Sequence, residues 1–562
     1  MEMKAVRRLL SLTFLCLGAA CSQQEPSGAK PEARAAGDPV KFLSAKLALE
    51  ISGGGAGQKN IELSPTARMQ IKRGPDYVPI AIAGTDSQPL FDRLEGSMAE
   101  RRAAAWQIVE KMLAPQKLTL KDKDGKEEIF DVPLWHTWYE GPFNAATGGD
   151  GNGEANQLIT GFIAALKECR DDKTCKDSPE KREELAEKVV ANFTGKAMAT
   201  SLTANNMERT LGQFADKDGN NMAAALGSPH LGQGFTLFSP SFMVHVLAQA
   251  QGVEQCGDAS HSPKAVDAPP SADQFSPCIK EFPRSAVMVK TSWSQIDGTT
   301  ALPLKHDTSS ATLGSQLGKI GGGWPQQGSP ATPTTNNIYA VQADNGNTYG
   351  LNAIHFSTKD TREWIWVTLW WDPQPNLDFG ADRPKSIASF NGGVWANYKM
   401  CVTTAFNEGD AAPRKTFEAS APTLAASLKS SHDAIAAQVG EAPFDTVTSW
   451  CSNPNVERHP NNDKTNCIGC HQYSMTAIES PGLVGLPSQN PKGENQFSDT
   501  IWLARQPRLK PVTGNDLKNY RLFYPQLGRS RIRKNFPADF AWSTSMEFRS
   551  QIFEARDGKF EW

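Results

Sequence analysis

Two thiols and an imidazole stand at a fixed spacing in Cys467-Ile468-Gly469-Cys470-His471. Covalent attachment of a c-type haem needs this arrangement: each cysteine forms a thioether with one porphyrin vinyl group, and the next residue offers a ring nitrogen to the iron as proximal ligand. With 10 Cys and 9 His in 562 residues, chance supplies far fewer than one such motif. Two other uses of a CxxC pair fit less well. A redox-active dithiol sits at a helix N-terminus after an apolar strand, whereas Asn461-Asn462-Asp463-Lys464-Thr465-Asn466 is a polar approach. A zinc site needs two further ligands. Cys451 and His459 lie nearby, but no second CxxC or HxxxH stands at finger spacing.

The sixth position on the iron decides what such a haem does. Methionine or histidine there gives an electron carrier, and an open position permits catalysis or small-ligand binding. Met546 is a tentative sixth ligand because it lies downstream in the same region, while Met475 is too close to reach around the ring. His355 and His136, each flanked by aromatic residues, compete with it. In a haem enzyme, His136, His355 or Lys359 would supply the acid/base group.

The start of the chain reads as an export signal: Arg7 and Arg8, an apolar run from Leu9 to Leu17, then Gly18, Ala19 and Ala20. Cys21 follows at once, as in a bacterial lipoprotein cleavage site where that cysteine is diacylated. Gly18 stands where such sites usually have leucine, so ordinary cleavage is the alternative. Ser22 to Ala36 is polar and rich in Pro, Gly and Ala, which suits a flexible tether. No later run reaches the length of about 18 apolar residues that a transmembrane helix needs. The expected address is therefore the periplasm or the outer-membrane surface, with a lipid anchor through Cys21.

Cysteine usage agrees with an oxidising compartment. Setting aside Cys16 in the signal, Cys21, Cys467 and Cys470, proximity pairs the remainder as Cys169 with Cys175, Cys256 with Cys278, and Cys401 with Cys451. Buried free thiols are the alternative.

The composition, 39% hydrophobic with a net charge of −3, describes a well-cored chain of several domains. Basic and acidic residues are mixed along it, without the electrostatic footprint of a nucleic-acid binder. The chain has 14 Trp against 8 Tyr, and residues so costly to expose should line cores or an aromatic cavity.

The expected class is α+β. A signal peptide (1–20) and tether (21–37) precede a mixed α/β region (38–143) with one clear helix from Ser97 to Leu113. A mostly helical region (144–281) follows, with helices from Leu158, Pro179 and Pro240. Region 282–421 is a Trp-rich, sandwich-like antiparallel β domain with strands at Ala286–Trp293, Asn337–Gln342, Gly350–Ser357 and Glu363–Trp371. In the last of these, Trp364, Trp366, Thr368 and Trp370 share one face, while Ile365, Val367, Leu369 and Trp371 share the other. Both faces are apolar, which predicts a central strand covered on each side. Region 422–562 carries the haem motif on an irregular, partly helical chain wrapped against the rest.

Phe282-Pro283-Arg284-Ser285-Ala286-Val287-Met288-Val289-Lys290-Thr291-Ser292-Trp293, His355-Phe356-Ser357-Thr358-Lys359, Trp364-Ile365-Trp366-Val367-Thr368 and the CxxCH motif together resemble little-characterised, exported bacterial cytochrome c family proteins. In these a Trp-rich β domain precedes a single haem motif. The resemblance runs from about Phe235 to the C-terminus, plus Trp135-His136-Thr137-Trp138-Tyr139. It implies one haem and an export address but no substrate. Leu369-Trp370-Trp371 replaces the Phe-Glu-His expected there, so any role of that histidine is missing.

These readings lead to an exported monohaem protein that transfers electrons to a redox partner protein. The alternatives are a peroxidase- or oxidase-like haem enzyme acting on a small molecule and, third, a haem-based redox or gas sensor.

Overall fold

The computed structural model describes residues 43–44, 74–80, 90, 93–94, 97–121, 127–141, 154–169, 178–193, 233–255, 279–296, 308–313, 315, 331–342, 348–404, 419, 421–439, 451, 453, 455, 467, 471, 488–489, 495–496, 539, 541 and 548–556. The class is α+β.

Ser97 starts the first helix, α1 (Met98–Leu113), by accepting a hydrogen bond from the Glu100 amide at 3.3 Å. Ala105, Ile108, Val109 and Met112, spaced three and four apart, form its buried stripe. The hairpin β2 (Pro115–Lys121) and β3 (Glu127–Pro133) follows. Helices α2 (Glu154–Glu168), α3 (Pro179–Ala191), α4 (Pro240–Ala248) and α5 (Ala250–Gln255) supply the helical region. In α3 and α4 a serine N-cap precedes a proline in the first turn, where proline's missing N–H costs nothing.

Among the described residues the sheet has eight strands. They are β1 (Leu43–Ser44), β4 (Tyr139–Glu140), β5 (Gln233–Phe238), β6 (Val287–Ile296), β7 (Ala340–Gln342), β8 (Thr348–Thr358), β9 (Ile365–Trp371) and β10 (Tyr398–Thr403). All pairings are antiparallel except β1 with β7. The sheet forks at β8. On one edge β8 pairs with β6 throughout; on the other, residues 348–350 pair with β7 and residues 353–358 with β9. Asn352 is the extra residue at a register shift against β6, between the two prongs. It reverses the alternation of side chains along β8. Strands from the three expected regions 38–143, 144–281 and 282–421 thus share one sheet.

Every residue of β9 is buried. Ile365, Val367, Leu369 and Trp371 enter a core shared with α1, Trp135 and Tyr339, and Trp364 and Trp366 enter a second core with α2 and α4. Trp370 enters a third with Cys401 and Cys451. A single forked sheet, covered on both faces, therefore does what a sandwich would. The C-terminal region contributes more helix than its irregular sequence suggested: α6 (Pro422–Val439) buries Leu424 and Leu428 in the third core, and α7 (Arg549–Arg556) buries Ile552 in the second.

Candidate functional site

Strand alternation aims one row of β-sheet side chains at the haem motif. After the bulge at Asn352, the odd residues of β8 turn away from the first core, which takes Tyr349 and Leu351 before the bulge and Ile354 and Phe356 beyond it. His355 thus lies on the face of Trp364, Trp366 and Trp370, opposite Thr368 on β9 and Lys290 on β6. His471, partly exposed, packs on that face with its ring centroid 4.3 Å from that of Trp366. Cys467 is buried at 5% exposure in the second core, together with Trp364 and Trp366.

Desolvation, then the charges of Lys290 and His471, hold the His355 imidazole well below its ordinary pKa. His355 is therefore a neutral imidazole close enough to His471 to sense its charge. A neutral ring carries the lone pair that iron ligation or proton acceptance requires.

The other candidate ligand, His136, lies on the opposite face. Its ring stacks on Trp135 at 4.4 Å and its Nδ1 is 2.9 Å from the Tyr339 hydroxyl. Burial alone lowers its pKa to about 3. The sheet separates it from His471. Its placement is that of a core histidine.

Lys359 reaches the site's rim but is committed. Its ammonium donates to Asp539 Oδ1 at 2.7 Å and to the Arg362 carbonyl at 2.6 Å, and lies 5.6 Å from the Trp364 ring centroid. Asp539 also accepts from the Phe282 amide at 2.8 Å. Burial outweighs Lys359 and raises the Asp539 pKa to about 6. Sequence reading passed over Asp539; a single carboxylate within Phe536-Pro537-Ala538-Asp539-Phe540-Ala541-Trp542 was the available signal.

Cys401 and Cys451 are joined in a disulfide across 50 residues, as proximity predicted. Close by, Asn453 donates to Thr368 Oγ1 at 2.7 Å and to the Leu369 carbonyl at 2.9 Å, fixing the chain that leads to the haem motif onto β9. Cys169 is disulfide-bonded, and its expected partner Cys175 lies outside the described residues. So do Cys21, Cys256, Cys278, Cys470 and Met546.

Among the described residues, no group of three or more His, Cys, Asp or Glu is placed to hold a metal ion, and no helix is long and apolar enough to cross a membrane. The chain matches no family model, no curated protein and no solved structure.

Proposed function

We propose that Cys467 and Cys470 hold one haem c covalently, with His471 as proximal ligand, and that the chain is an exported electron-transfer protein anchored by lipid at Cys21. The observation that carries this is the meeting of the CxxCH motif with the Trp-rich sheet face, where His471 packs on Trp366. The donor set fits the group: a thiol and an imidazole four residues apart, indole walls that exclude water, and a second, neutral imidazole at His355. Bound there, a haem supplies one-electron ferric/ferrous chemistry. The chain's residues do the rest. Trp366 packs on His471, Trp364 and Cys467 lie together in the same apolar core, and the Lys359–Asp539 pair sits beside Trp364.

Of the candidates for the sixth position, His355 shares the face of His471, and we assign it ahead of Met546. A second reading, a haem oxidoreductase with an open distal position, draws on the same residue, since a neutral His355 is also poised to accept a proton.

Optical and EPR spectra of the purified protein, with cyanide and carbon monoxide added, test the proposal. Haem retained through acid-acetone extraction, with a c-type α band and low-spin iron lacking the methionine band near about 695 nm, is expected. Extractable or absent haem sinks the covalent reading. His355→Ala should convert the iron to a high-spin form that binds both ligands; a spectrum unchanged by this substitution removes His355 from the sixth position.

A further inference from the structure

A pocket of about 830 Å³ opens between α3, α4 and the segments 74–76 and 280–283. Its size is that of a small-molecule site, and its apolar walls are Tyr139, Val190, Phe193, Val244 and Ala248. Asp76, Glu183 and Glu187 face one ammonium, that of Lys280. Asp76 accepts from the Ser241 amide at 2.8 Å and burial raises its pKa, and the fourth carboxylate, Glu281, is paired with Arg362 at 3.0 Å, so Glu183 and Glu187 supply the excess. The remaining titratable group, His245, accepts no compensating positive charge: desolvation lowers its pKa to about 4, against the raising effect of its bond to the Lys280 carbonyl at 2.9 Å. The pocket is thus an apolar cleft with an excess of negative charge, complementary to a flat organic cation.

The pocket's wall also begins a continuous file of rings. His245 lies 4.4 Å from Phe282, Phe282 lies 5.6 Å from Trp364, Trp364 lies 6.2 Å from Trp366, and Trp366 lies 4.3 Å from His471.

We infer that this pocket binds a small, apolar organic cation, a one-electron donor whose electron reaches the His471 site along the ring file; the electron-transfer part rests on the haem proposal above. The ligand gives up one electron, which a haem held by Cys467 and His471 would accept, and no bond or proton moves.

Methyl viologen is the probe. Titration calorimetry of the full chain with the oxidised dication should give one site per chain, with no binding of the anion anthraquinone-2,6-disulfonate. The pair Glu183→Gln and Glu187→Gln should weaken binding about tenfold, the worth of two partly screened ion pairs. Val244→Trp, which fills the cleft, should abolish binding, whereas the exposed, remote Glu110→Gln should leave it unchanged. Equal binding of cation and anion, or indifference to Val244→Trp in a chain whose circular dichroism is unaltered, overturns the inference. The same titration on a chain without covalent haem separates the two proposals: binding retained there keeps the pocket and removes only the electron path.

Discussion

At the scale of single residues, the Lys359–Asp539 pair shows how a charge buried beside aromatic rings is tolerated. Both partners are nearly inaccessible, at 3% and 4% exposure. Removing one partner of such a pair strands the other, at a cost of about 3–5 kcal/mol, although replacing both with apolar groups is often harmless. Asp539→Asn is therefore expected to destabilise the chain by about that much at pH 7 in urea unfolding, and Lys359→Met added to it should restore a large part. The pH dependence has a definite sign. The folded-state pKa of about 6 exceeds the ordinary carboxylate value of 3.8. Between them the folded chain keeps a proton that the unfolded chain releases, so this group's contribution is full at low pH and falls as pH rises from about 4 through about 6. Asp539→Asn should flatten that part of the stability profile; an unchanged slope would mean that another group carries it.

At the scale of elements, the disulfide anchors β10 to the chain that carries the haem motif. Its loop of 50 residues implies about 4 kcal/mol of stabilisation through the unfolded state. The double substitution Cys401→Ala with Cys451→Ala should lower the stability by that order in urea unfolding, and a loss under about 1 kcal/mol would show the segment to be held by Asn453 and packing alone. Much of the sheet was legible in the sequence, because β6, β8 and β9 carry period-two runs of bulky apolar residues, and the two faces of β9 follow from alternation. Others were not, β10, β5 and α6 among them, along with α7. β10 reads Tyr398-Lys399-Met400-Cys401-Val402-Thr403, and its buried lysine breaks the apolar run; Asp372, 3.3 Å from Lys399 Nζ, is what makes that burial tolerable. β5 was hidden by the Gly-rich stretch before Phe235, and α6 by its Ala- and Ser-rich composition, which gives little contrast between its faces. The motif itself was plain at the residue level. Its pairing with His355 was not, because that depends on the bulge at Asn352, which no local signal marks.

At the scale of the whole molecule, the second core gathers Tyr139, the helices α2 and α4, Trp364 and Trp366, Cys467, and Ala541, Phe548 and Ile552 from near the C-terminus. The region that carries the CxxCH motif is therefore part of a shared interior. A chain truncated before Asp539 loses three apolar members of that core and the counter-ion of Lys359. It should fail to show a cooperative thermal transition and should aggregate, and residues 422–562 expressed alone should not fold. A soluble, cooperatively melting truncation would mark the C-terminal region as an appendage.

The separation of the cores also bears on maturation. Thioether formation at the proposed haem site would require Cys467 as a thiol, in a chain that also closes Cys401 onto Cys451. Cys451 and Cys467 are near neighbours along the chain, so a nascent, oxidised chain risks joining the wrong sulfurs. Because the sheet sends Cys451 with Trp370 and α6 into one interior, and Cys467 with Trp366 and α2 into another, collapse of the fold sorts these sulfurs by destination. Were the haem attached as proposed, native packing would favour one of two competing covalent fates.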